Sequence, residues 1–364
     1  MTDADVEDDS CARLQVSRHV SLKAHKSPAA TTETAMLTRR HLLAASTAGL
    51  LAPATSFVPR AFAQAIKKPA HVIVGFPPGG GTDVIARILA DGLRGPYAPT
   101  VLVENKPGAA ARIAVESVKN AEPDGSVMLF TPDFPITVYP HSFRSLSYDP
   151  LRDFTAVSPA AKSMLTYNVG PAVPESVKTL AEFAQWCKAN PGKASYATTA
   201  AGGTPHFVGM MLANAAGVAM TPVHYRGGAP ALQDLLGGHV PASVNPISES
   251  LPLAKSGTLR ILAVTGSRRS SFLPDVPTMT EAGYNVVVES WLGVFVPAKT
   301  PTDIVEALGA AIAEATKSSH MIENLAKVGN TTAFQTPAQF AATVKADLAR
   351  WAPIVKASGF VAED

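Results

Sequence analysis

Cysteine is scarce in this chain and charge imbalance is almost absent. Two Cys in 364 residues cannot build a disulfide framework or a Cys-rich metal centre. Lys and Arg number 31 against 29 Asp and Glu. A formal net charge of +2 does not supply the basic patch that a nucleic acid selects, so no nucleic-acid partner is expected. No apolar run reaches the roughly 20 residues that a membrane span needs. Several chemical signatures are missing too: there is no G-x-S-x-G elbow, no H-E-x-x-H and no two-His metal spacing. Neither a Gly-Lys-Ser/Thr phosphate loop nor a G-x-G-x-x-G dinucleotide loop occurs, and no cofactor or metal is expected. What the chain does have is 46% hydrophobic residues, enough for sizeable cores, and a length that suggests about two domains.

The N-terminus reads as an address. Thr38-Arg39-Arg40-His41-Leu42-Leu43 precedes a small-residue and apolar run from Ala44 to Val58, and Ala61-Phe62-Ala63 is an A-x-A-like cleavage site. Basic start, short apolar stretch and small-residue end make an export signal over residues 1–63, and the paired arginines give it a twin-arginine character. Cleavage after Ala63 and a periplasmic mature protein are expected. Asp3, Asp5, Glu7, Asp8 and Asp9 make the first residues acidic, which suits no such signal. The expected start is therefore Met36, with 1–35 an over-extension of the reading frame. Cys11 is lost with the signal, and the remaining Cys187, beside Trp186 on an expected helix, is read as a core or boundary residue.

After the signal, strands and helices alternate, which predicts an α/β fold. His71–Phe76, Thr100–Val103 and Val127–Phe130 read as strands. Between them lie a helix capped by Thr82 or Asp83 and a short helix Ile113–Lys119, giving β-α-β-α-β, half of a doubly wound sheet. A second run follows, with a Thr179-x-x-Glu182 capping box. Strands are expected at Ala194–Ala197, Pro222–Tyr225, Val240–Val244 and Arg260–Val264, and helices at Pro205–Ala216 and Pro230–Leu236. Two Ala-rich helices end the chain, about Pro301–Val328 with a break at Ser318–Ser319, and about Pro337–Ala357 behind a Thr336-x-x-Gln339 box. With no Pro/Ser-rich linker, the two halves are expected as discontinuous lobes, 66–168 with 291–364 and 169–290. Crossover strands near Leu165–Val169 and Ser290–Phe295 would join them.

Two glycine-rich turns between a strand and a helix are the best candidates for a site. In Phe76-Pro77-Pro78-Gly79-Gly80-Gly81-Thr82-Asp83, glycines allow close backbone approach and free N–H groups at a helix start favour an anion. Thr198-Thr199-Ala200-Ala201-Gly202-Gly203-Thr204 repeats the arrangement with hydroxyls added. Each is also consistent with a tight structural turn. His206, at the start of a helix, reads as a packing or capping residue. A secreted α/β hydrolase using a Thr or Ser nucleophile with His206 as base stays open as the alternative.

Through many motifs in order, the mature chain resembles the Bug-type, tripartite tricarboxylate transporter substrate-binding family. They include Val74-Gly75-Phe76-Pro77-Pro78-Gly79-Gly80-Gly81-Thr82-Asp83, Val103-Glu104-Asn105-Lys106-Pro107-Gly108, Tyr225-Arg226-Gly227-Gly228-Ala229-Pro230, Leu262-Ala263-Val264, and Leu273-Pro274-Asp275-Val276-Pro277-Thr278. The resemblance implies a type II periplasmic-binding-protein fold, in which two doubly wound α/β lobes close on a small carboxylate solute. Such a receptor, expected as a monomer, delivers its solute to a membrane transporter or a sensor. It implies binding by Phe76, Pro77, Pro78, Gly79, Gly80 and Thr82 on one side, partly through ordered water. On the other side it implies Thr198, Thr199, Gly202 and Gly203, with Asn245 at a strand end. Departures from the family pattern are Ala110, Ala111 and Ala114 for glycines, the Thr-Thr-Ala-Ala start of the second turn, and Asn245 for an Asp. Loss of that charge gives the expectation of a ligand without an amino group.

Overall fold

The computed structural model describes residues 65–362, so the expected export signal, its cleavage site and its start lie outside the described residues. From Ala65 the chain forms β1 (Ala70–Val74), α1 (Gly81–Leu93), β2 (Val101–Asn105), α2 (Arg112–Lys119) and β3 (Val127–Pro132). Three short helical turns, α3 (Phe134–Thr137), α4 (Tyr139–Ser142) and α5 (Pro150–Asp153), lead into β4 (Phe154–Ser163). Next come β5 (Leu165–Val169), α6 (Leu180–Ala189), β6 (Ser195–Thr198), α7 (Thr204–Ala216), β7 (Thr221–His224) and α8 (Gly228–Leu236). They are followed by β8 (Ala242–Pro246), α9 (Ile247–Lys255) and β9 (Arg260–Val264). The last stretch is β10 (Ser290–Pro297), α10 (Thr302–Ala315), α11 (Ser319–Lys327), β11 (Thr331–Thr332) and α12 (Pro337–Ser358).

Two mixed sheets result, in the orders β11-β4-β10-β3-β1-β2 and β7-β6-β8-β5-β9. The parallel pairings of β1 with β2 and β3, and of β6 with β7 and β8, are those of the expected α/β lobes, and the crossing strands make each sheet mixed. β10 runs antiparallel to β3 and β4, and β5 runs antiparallel to β8 and β9. These are the strands by which the chain arrives from the other sheet. The parallel strands end toward the gap between the sheets, so a strand entering across that gap must run the opposite way. Leu165–Val169 therefore belongs wholly to the second sheet, with all five residues buried, and the chain changes sheet at Met164.

Local chemistry sets most element ends. Thr179 and Thr336 each form the full capping box, with Glu182 and Gln339 respectively, satisfying two N–H groups per helix start. Ser318 caps α11 through the Met321 N–H, which splits the expected long helix where its sequence suggested. At α1 the N-cap is Gly80, without a side-chain cap; Thr82 and Asp83 lie inside the first turn. The helix α9 was not expected at all, because Pro252 within it reads as a breaker.

One apolar cluster joins Val72, Val74, Leu89, Phe130, Val294 and Ile312 under the first sheet. The cluster under the second sheet takes in Tyr167, Phe183, Tyr196, Phe207 and Val244, together with Phe134 and Tyr139 and with Trp351 and Val355 of α12. Phe340 and Val344, at the other end of α12, pack with Trp291 and Phe295 of the first sheet. α12 is thus a strap across both lobes. Cys187 is free and buried, and burial pushes its thiol up to about 12, which makes it a core residue.

Candidate functional site

The parallel strands of both sheets deliver their carboxyl ends to one cleft, the usual position for a site in an α/β fold. Phe76 follows β1, Pro132 ends β3, Thr199 follows β6 and Pro246 ends β8, and all line one cleft. Ser163, Leu165, Ser290 and Leu292 of the crossings close its floor. Among the described helices longer than two turns, three have their first residue on it, α1 at Gly81, α7 at Thr204 and α8 at Gly228, and the first turn of α9 joins them through Ser248 and Glu249. Helix starts carry unpaired N–H groups and a partial positive charge. Among the described residues, no Lys or Arg lines the cleft.

Of the residues expected at the site, Phe76, Pro77, Pro78, Gly80, Thr82 and Thr199 line this cleft. Gly79, Thr198, Gly202, Gly203 and Asn245 do not. Gly79 donates its N–H to Asp83 Oδ2 at 2.9 Å. Burial would raise the Asp83 carboxyl, but bonds from Arg87, Gly79 and Asn105 hold it below the usual carboxylate range. Thr198 is fully buried and donates its hydroxyl to the Ala200 carbonyl at 2.9 Å. Gly202 packs on Ser142 and Phe360, and Gly203 on the Phe134 ring.

Asn245 points elsewhere than expected. Its Nδ2 donates to Glu249 Oε2 at 3.0 Å, and Glu249 Oε1 accepts the Gly81 N–H at 3.1 Å. Beside Asn245, the Glu249 carboxyl four residues later thus reaches the start of α1. Enclosure raises the Glu249 carboxyl above its ordinary value, against the bonds from Asn245 and Gly81. A second acid, Asp133, also lines the cleft. Its Oδ1 accepts the Ser290 hydroxyl at 3.0 Å and its Oδ2 the Thr204 hydroxyl at 3.1 Å. Burial pushes it up to about 6.

Sequence reading missed Asp133, Ser248, Glu249 and the Gly227–Pro230 turn. For that turn the signal was present, since Gly227-Gly228 ends a strand-to-helix loop as Gly79–Gly81 does. For Ser248 and Glu249 it was hidden by Pro252. The hydrolase alternative is not assembled. His206 Nδ1 accepts the Gly202 N–H at 3.2 Å, its ring packs against Phe207, His224 and Phe360, and burial with the neighbouring His224 pushes it down to about 3. A histidine so placed fixes a loop.

Residues 85–360 match the sequence model described as tripartite tricarboxylate transporter family receptor. The chain is 34% identical over 316 residues to Protein BugT of Bordetella pertussis, covering 86% of this chain and 94% of that protein. Among solved structures it is similar to R. palustris Rpa4515 with adipate, at 30% identity and a TM-score of 0.77, covering 80% of this chain and 98% of that one. MatC from Rhodopseudomonas palustris with bound malate is similar at 27% identity and a TM-score of 0.73, covering 79% and 98%. The two α/β lobes with mixed sheets match the type II periplasmic-binding arrangement of such relatives, and the chain resembles non-catalytic periplasmic solute-binding proteins rather than an enzyme. The chain belongs to the tripartite tricarboxylate transporter receptor family, as an extracytoplasmic receptor-like protein of the Bug type.

Proposed function

We propose that the cleft binds a small carboxylate solute and that the loaded protein, an exported monomer, presents it to a membrane transporter or a sensor. The observation that carries this reading is the convergence of helix starts at Gly81, Thr204 and Gly228 on one cleft that, among the described residues, has no lysine or arginine in its lining. Oriented N–H groups can hold a carboxylate strongly enough to bind it, yet leave no buried cation to be stranded when it departs. Phe76, Pro77, Pro78, Gly79, Gly80 and Thr82 form one arm. Thr199, with Thr198, Gly202 and Gly203 shaping its loop, forms the other, and Asn245 acts through Glu249. Adipate and malate, bound by the similar solved proteins, are the first compounds to try.

Thermal unfolding of the mature protein with di-, tri- and aromatic carboxylates tests the reading. A ligand at a hundredfold excess over Kd stabilises the folded state by about 2.7 kcal/mol, a shift of about 4–5 °C for a chain of this size. No shift with any of these classes at millimolar concentration would overturn it.

A further inference from the structure

Glu249 sits where the sequence places the anion. It belongs to α9, on the second lobe, yet its carboxyl accepts the Gly81 N–H at the start of α1, on the first. The other oxygen faces the start of α8 so closely that a methyl group on Gly228 would overlap the carboxyl. One carboxyl thus lies between helix starts of both lobes, with each oxygen engaged by a donor, Gly81 N–H and Asn245 Nδ2. Beside it, Ser248 Oγ lines the cleft, is 8% exposed as a residue and has no hydrogen-bond partner. It is a buried polar group left for something that enters the cleft. The charged groups that face this corner are few. Asp83, at the same helix start, is neutralised by Arg87, and Asp133 lines the same cleft with its oxygens on Ser290 and Thr204.

We propose that Glu249 is a built-in competitor for the ligand: in the empty receptor its carboxyl fills the carboxylate position at the start of α1 and ties the lobes together, and a solute binds by displacing it. The identity of residue 249 then sets the affinity of the cleft. This rests on the carboxylate-receptor reading. A hydrogen bond to a charged group that must be given up is worth about ten- to hundredfold in affinity.

Calorimetry with adipate and malate on wild type, Glu249→Ala and Glu249→Gln, together with amide exchange of Gly81 without ligand, tests the proposal. Glu249→Ala is expected to bind a carboxylate ten- to hundredfold more tightly and to exchange the Gly81 amide at least tenfold faster. Glu249→Gln keeps an acceptor for Gly81, and turning the Asn245 amide offers its buried, unpartnered Oδ1 to the new NH2. It should keep the slow exchange and bind with intermediate affinity. Unchanged or weaker carboxylate binding by Glu249→Ala overturns the proposal and makes Glu249 a bystander or a direct ligand contact. If no variant binds any carboxylate, the receptor reading fails. The Gly81 amide then decides on Glu249 alone: faster exchange in Glu249→Ala supports its occupancy of the helix start, and an unchanged rate refutes it.

Discussion

Gly75 and Ala111 face each other across the base of the first cleft loop, and exchanging their side chains gives a quantitative test of the packing there. A Cβ added to Gly75 would overlap the Ala111 Cβ and stand 2.9 Å from the Ala111 Cα. Because the second obstacle is backbone, Gly75→Ala should cost about 1–3 kcal/mol as overpacking. Ala111 is itself unusual. It has φ 72° and ψ −3° and follows Ala109 at φ 44° and Ala110 at φ 54°, so three L-residues in a row are left-handed. Ala111→Gly relieves about 1–2 kcal/mol of that strain, loses about 0.8 kcal/mol of methyl burial and costs about 0.5–1 kcal/mol of chain entropy. These nearly cancel, so the single change should lie within about 0.5 kcal/mol of wild type. In the double variant the methyl overlap is gone while the Cα approach remains. The cycle should show a favourable coupling of about 1–2 kcal/mol, with Gly75→Ala only partly rescued. Urea unfolding with unchanged m-values reads all four proteins. Additivity within about 0.5 kcal/mol would refute the direct contact and the left-handed geometry that creates it.

Asp133 gives a pH signature. With its folded pKa raised from 3.8 to about 6 by burial, the folded state holds more protons than the unfolded chain between those values. The contribution is complete below about pH 4 and is lost as pH rises through about 6. It amounts to about 3 kcal/mol. Urea midpoints from pH 4 to 7 should show wild type falling relative to Asp133→Asn, and a constant difference would refute the shift. Thr336→Ala removes one capping box and should cost about 1 kcal/mol by the same method. Trp351 is fully buried with its Nε1–H unpartnered. Trp351→Phe should therefore cost less than about 1.5 kcal/mol in thermal unfolding, whereas Trp351→Ala costs about 3–5 kcal/mol.

Much of this architecture is legible in the chain because its signals are local. The capping boxes at Thr179 and Thr336 and the break at Ser318 fall where hydroxyls and periodicity place them, since a cap is decided within four residues. Strand direction is not local. Nothing in Leu165–Val169 or Ser290–Pro297 says antiparallel; that follows from the lobe each strand arrives from. The cleft divides in the same way. Gly-rich turns mark Phe76–Thr82, but Thr198 and Gly203 turn inward, and no local signal tells a loop residue that faces a ligand from one that faces Phe134. Glu249 lay beyond reach for two reasons. Pro252 hid its helix, and its partner at Gly81 is 168 positions away.

On the proposed carboxylate reading, a cleft that shows two acids and, among the described residues, no Lys or Arg looks like an electrostatic contradiction, and the geometry resolves it. Each acid is placed on donors contributed across the lobe boundary: Asp133 of the first lobe on the Thr204 hydroxyl of the second, and Glu249 of the second on the Gly81 N–H of the first. Desolvation raises both carboxyls, so the field they present to the cleft weakens toward acid pH. Glu249, so placed, keeps the Gly81 N–H at the start of α1 from being left unsatisfied. A fixed arginine would bind the solute more tightly but would be left unpaired and enclosed in the empty form. A displaceable Glu249 carboxyl, as proposed above, avoids both penalties and leaves affinity to the difference between two similar sets of hydrogen bonds. On that proposal, release of a solute is accompanied by re-formation of the Glu249 contacts with Gly81 and Asn245.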